Sequence, residues 1–60
     1  NMDIHPGQEF NMVWEGRMDL RLGDKRFVLE PGDCIYFDAN QPHCMRALDN
    51  VPMRFLAIIF

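Results

Sequence analysis

Hydrophobic and polar positions alternate through most of this chain, and the alternation has the period of strands. Arg17 to Leu22 is the plainest case: Met18, Leu20 and Leu22 fall on one face, and Arg17, Asp19 and Arg21 on the solvent face. Glu9 to Glu15, rich in Phe, Val and Trp, reads as the strand before it and ends at Gly16. Gly23-Asp24 is a tight turn, and Lys25 to Glu30 is the return strand of a hairpin. Pro31-Gly32-Asp33 is a second turn, with Asp33 placed to bind backbone amides. Cys34 to Asp38 is a further strand, followed by a loop over Ala39 to Pro42. His43 to Leu48 and Met53 to Phe60 are expected to pair with each other across Asp49-Asn50-Val51-Pro52. No segment keeps a helical period with caps at both ends. Short strands at this spacing predict an all-β sandwich or barrel.

The same alternation predicts which side chains converge. If Glu9 points inward, so do Asn11 and Val13; if His43 points inward, so do Met45 and Ala47. A mostly apolar pocket is then expected from Asn11, Met45, Phe37 and Phe55, with Ile35 and Ala57 nearby, and it suits a small ligand. Phe10, Met12 and Trp14 share the opposite face of their strand, and Leu56, Ile58 and Phe60 form a similar stripe on the last one. Apolar residues on both faces imply that both faces are covered, by further chain or by a second subunit.

Sixty residues make at most one domain, and a domain this small buries only about 60% of its unfolded surface. The net charge is −3, and six basic residues are scattered among nine acids, so no patch grips phosphates and no direct contact with nucleic acid is expected. No apolar run approaches the ~18 residues of a membrane span. Cys34 and Cys44 do not make a disulfide scaffold or a CxxC zinc site; they read as free thiols in a reducing cytoplasm. The apolar end Phe55 to Phe60 reads as part of something longer, so the chain is taken as a fragment.

The candidate chemistry lies in the only two histidines. His5 precedes Glu9 by a three-residue gap, and His43 lies far downstream in Gln41-Pro42-His43. Two imidazoles and a carboxylate bind first-row divalent metals once the chain brings them together.

This spacing resembles the two motifs of the cupin superfamily. The first has the form G-x5-H-x-H-x3,4-E-x6-G, and His5, Glu9 and Gly16 match its second histidine, glutamate and closing glycine. The second is G-x5-P-x-G-x2-H-x3-N, and Gly32 and His43 match its opening glycine and histidine. Asp3 stands at the first histidine, and Asp38, Asn40 and Ala47 replace the proline, inner glycine and asparagine. Asn40 is a mild change, because Asn tolerates left-handed backbone angles.

The resemblance implies a small cupin β-barrel or jelly roll occupying residues 1–60 as one domain, truncated on its N-terminal side. It implies a metal site of His5, Glu9 and His43, with Asp3 either a fourth oxygen ligand or a solvated strand-edge carboxylate, and Fe, Mn, Ni or Zn as the cofactor. It is nearest to the C-terminal sensor cupins of bacterial helix-turn-helix regulators of the XRE type. On that reading a small-molecule effector enters the barrel, the protein is a cytoplasmic homodimer, and an upstream domain binds DNA. The alternative is a small metal-dependent cupin enzyme, a dioxygenase or isomerase. No residue is assigned a catalytic role beyond the ligand set.

Overall fold

The computed structural model describes residues 2–60 and contains six strands. They are β1 (Gln8–Glu15), β2 (Met18–Leu22), β3 (Lys25–Leu29), β4 (Cys34–Asp38), β5 (His43–Ala47) and β6 (Arg54–Ile59). Each agrees with a strand of the alternation pattern to within about two residues at its ends, because period-two burial is a local property. All pairings are antiparallel and form two three-stranded sheets, one ordered β4-β1-β6 and the other β3-β2-β5. This is the small cupin-like β-sandwich that the resemblance implied. Among the described residues no helix is long and apolar enough to cross a membrane.

The core lies between the sheets. Val13 from β1 and Met18 and Leu20 from β2 are fully buried, and Leu22, Leu29 and Phe37 complete the cluster. Ile35, Met45, Met53 and Phe55 pack around it. The hairpin β2–β3 forms as expected, with Leu22 opposite Lys25 across the Gly23-Asp24 turn.

The expected pairing of the last two strands does not occur. β5 pairs with β2, in one sheet, and β6 pairs with β1, in the other. The connection between them crosses the sandwich. Asp49 and Asn50 both take left-handed angles, at φ 61° and 54°, and turn the chain toward the opposite sheet. Arg17 clamps that turn, donating from Nε and Nη2 to the two Asp49 oxygens at 2.8 and 3.0 Å. This hydrogen bond holds the Asp49 carboxyl below its usual range.

Gly16 shows why β1 stops where it does. Its φ is +75°, and a Cβ there would lie 2.5 Å from the Pro52 carbonyl oxygen. A side chain would therefore meet both an unfavourable backbone angle and fixed backbone atoms of the β5–β6 connection. Gly16→Ala is expected to lower stability by about 2 kcal/mol or more, read from a shifted denaturation midpoint. A midpoint equal to the unaltered chain's would refute this account of the turn.

Asp19 departs from the expected pattern. The alternation assigns it to the solvent face of β2, yet it is only 1% exposed. Three arginines cover it: Arg26 Nε donates to Oδ1 at 2.8 Å, Arg46 Nε to Oδ2 at 3.1 Å, and Arg21 Nε lies 3.8 Å away. Burial alone pushes the Asp19 carboxyl up, but the hydrogen bonds from Arg26 and Arg46, with the charges of Arg26 and Arg21, outweigh it and hold the group below the usual carboxylate range. Its contribution to stability is therefore complete above the ordinary aspartate value of ~3.9 and is lost as pH falls through the lower folded value. Acid titration of the fold should steepen in that window, and Asp19→Asn should flatten it. An unchanged acid profile in the variant would refute the linkage.

The two thiols are free. Cys34 is exposed on β4 and Cys44 half-buried on β5, in different sheets.

Candidate metal centre

The site is assembled from three segments that are distant in sequence. Glu9 lies near the start of β1 and points inward, 3% exposed. His43 opens β5 and is 2% exposed. His5 lies in the loop before β1, its N–H donating to the Ala39 carbonyl at 3.1 Å. A backbone bridge completes the frame: Asp3 and His43 each donate an N–H to the other's carbonyl, at 2.7 and 2.9 Å. Asp38 shapes the neighbouring loop, accepting the Asn40 N–H at 2.9 Å on Oδ1. Asn40 itself has no left-handed angle, so the tolerance of Asn for such angles is not what this loop uses.

The ligand atoms converge. His5 Nε2 lies 3.1 Å and His43 Nε2 3.5 Å from the same oxygen, Glu9 Oε1. One donor atom from each of the three residues falls within 4.8 Å of the others. The His43 ring is fixed from behind, with Nδ1–H donating to the Gln41 carbonyl at 2.8 Å. That bond selects the tautomer whose Nε2 lone pair faces the cluster, as in metal-bound histidines. Phe37 packs edge-on against the same ring, centroids 5.1 Å apart. Glu9 is oriented too. In the orientation that satisfies both ends of its amide, Asn11 donates from Nδ2 to Glu9 Oε2 at 3.0 Å and to the Phe10 carbonyl at 3.2 Å. Asn11 is fully buried, and one end of its amide lies 3.7 Å from Met45 Sδ.

The donor set fits a divalent first-row metal. Two neutral imidazoles and one carboxylate suit such ions, and buried, oriented donors need little reorganisation to bind. His5, Glu9 and His43 would hold it. Asp3 is adjacent through its backbone, but its side chain is exposed and is not part of this cluster.

The expected pocket residues divide. Asn11, Met45 and Phe37 lie beside the cluster, filling the interior against one another. Phe55 does not lie beside Glu9: it pairs opposite Val13, two inward-facing rows away. On β6 the residue opposite Glu9 is Ile59, and Ala57 is opposite Asn11. Sequence reading missed Ile59 because it paired β6 with β5. It also missed the Gln41 carbonyl, a backbone group with no side-chain signature. The described residues enclose no cavity, and the cluster reaches the surface through His5, whose side chain is 28% exposed.

Comparison with known proteins follows the same lines. The cupin domain family matches residues 1–59. A stretch of 52 residues, 87% of the chain, is 31% identical to an uncharacterized protein of Methanocaldococcus jannaschii. That stretch spans 42% of the archaeal protein's length. No solved structure matches significantly.

Proposed function

Because the chain belongs to the cupin domain family, we propose that it is a metal-anchored small-molecule-binding module, serving as the effector-sensing part of a transcription regulator. One observation carries this reading: both histidine Nε2 atoms and one glutamate oxygen converge, with Glu9 and His43 buried and each of the three side chains held by a further hydrogen bond. A bound metal would supply Lewis-acid anchoring for an oxygen-bearing effector. His43, held by the Gln41 carbonyl, keeps its Nε2 lone pair aimed at the site. Glu9, held by Asn11, supplies the negative charge. The groups packed beside these ligands, Asn11, Met45 and Phe37, carry no proton that titrates near neutral pH. Such surroundings favour capture of a ligand over proton-transfer chemistry on it.

The outer face of the β4-β1-β6 sheet supports a homodimer. Trp14, Tyr36, Ile58 and Phe60 on it are 53%, 57%, 45% and 63% exposed, and Tyr36 stacks on Phe60. An apolar patch of this kind marks a protein contact surface. In the proposed regulator an effector-driven shift of that dimer would alter the spacing of DNA-reading helices in an upstream domain, within the cytoplasm.

A small metal-dependent enzyme, a dioxygenase or isomerase, is the second reading. It is favoured by the ligand set itself, since two histidines and one carboxylate also serve non-haem iron oxygenases. The fold hosts both kinds of function.

The experiment uses Co²⁺ as the metal and acetohydroxamate as the oxygen-donor probe. Visible bands of bound Co²⁺ that shift on adding acetohydroxamate, and vanish in Glu9→Ala, are expected. No Co²⁺ spectrum in the unaltered chain would overturn the reading. Dioxygen uptake by the Fe²⁺-loaded protein would move it to the enzyme.

A further inference from the structure

The arginine cover over Asp19 has more positive charge than the carboxylate beneath it requires. Arg21, Arg26 and Arg46 share the outer face of the β3-β2-β5 sheet, opposite the face that bears His43. Three guanidinium charges around one carboxylate leave a local excess of two positive charges, on a chain whose net charge is −3. Their side chains remain 50%, 53% and 66% exposed.

The contacts also fix how the charge is presented. Arg26 and Arg46 reach Asp19 through Nε. Among the described residues, neither their terminal Nη groups nor those of Arg21 have an acceptor. Asp19 thus holds Arg26 and Arg46 through Nε and leaves the Nη groups of all three guanidiniums free to donate to a further anion.

We infer that this face of the β3-β2-β5 sheet is a docking surface for an acidic polypeptide segment carrying two or more carboxylates. Register supports the spacing. Arg21 lies directly opposite Arg26, about 5 Å apart at Cβ, and diagonal to Arg46 at about 7 Å. Side chains two apart on an extended strand are about 7 Å apart, so neighbouring same-side carboxylates reach two guanidiniums. Val28, opposite Asp19 and 43% exposed, adds an apolar contact in the same row.

Other anions fit less well. The face is a flat sheet surface, and exposed guanidiniums hold a lone phosphate weakly, so several linked anionic groups are needed. Duplex DNA presents dense phosphates, and three guanidiniums, two of them already bonded to Asp19 through Nε, are too few for the contacts such binding rests on.

The test is titration of the ¹⁵N-labelled chain with an end-capped hexaglutamate peptide at low ionic strength. Saturable shifts confined to β2, β3 and β5, and lost near 0.5 M salt, are expected. Arg21→Gln leaves Asp19 with its two shorter arginine contacts and should weaken binding about fivefold or more. Arg21→Lys, which keeps the charge without the fork, should fall between it and the unaltered chain. The inference is overturned if shifts scatter over both sheets, or if both variants bind as the unaltered chain does. It is also overturned if inorganic phosphate or a short DNA duplex moves the same resonances at lower concentration than the peptide.

Discussion

Chain carrying His43→Ala should purify without divalent metal, and the unaltered protein should purify with near-stoichiometric Fe, Mn, Ni or Zn. The effect is large because His43 is the most rigidly presented ligand: it is buried, its Nδ1–H is fixed on the Gln41 carbonyl, and Phe37 packs against its ring. Losing a group that merely orients a ligand lowers metal affinity about 10–100-fold, and losing a ligand should exceed that. Glu9→Gln is the matching isosteric test, since it keeps the shape and removes the carboxylate from the cluster. Asp3→Ala should retain metal, because the Asp3 bridge to His43 is made by backbone atoms. Elemental analysis of the three variants, each checked for a native strand spectrum, decides the matter. Metal retained equally by His43→Ala and the unaltered chain would remove the site from these residues.

Leu20→Ala should abolish or nearly abolish cooperative folding. Leu20 is fully buried at the middle of the central strand of its sheet, between Phe27 on β3 and Met45 on β5. Truncating a buried leucine costs about 2–5 kcal/mol, combining lost transfer energy with an unfilled cavity. A core in a domain of this size supplies only about 3–5 kcal/mol of net stability. Urea denaturation followed by circular dichroism should therefore show a broad or absent transition. A loss below about 1 kcal/mol would mean that the two sheets do not pack tightly at this position.

Much of the fold was legible because strand burial is local. Alternation along Arg17 to Leu22 identifies β2 and its inner residues with no knowledge of partners. Turn chemistry was legible for the same reason: Gly23-Asp24 closes the hairpin, and Asp33 Oδ2 accepts the Glu30 N–H at 2.8 Å as a turn aspartate does. Pairing was less legible. Two strands joined by a short connection either form a hairpin or lie in opposing sheets, and their alternation is the same in both cases. The left-handed pair Asp49-Asn50 and the clamp from Arg17 accompany the second arrangement for β5 and β6, and the clamp comes from a residue far away in sequence. That crossing is what brings Ile59, and not Phe55, opposite Glu9.

Asp19 makes a related point. Alternation assigns a residue to a face but does not say how deeply that face is covered. Three arginines from three strands bury the carboxylate, and only the register of β3 and β5 against β2 brings Arg26 and Arg46 to it.

By itself, then, the sequence determined the strands, the turns and the membership of the candidate cluster His5, Glu9 and His43, since these rest on period-two burial, on backbone preferences and on donor types at a recognisable spacing. Only the tertiary structure decided which strands pair, that Asp3 meets His43 through backbone atoms, and that Gln41 and Asn11 hold the side chains of His43 and Glu9. Those features are contacts between residues remote in the chain, and no local pattern encodes a distance across the sandwich.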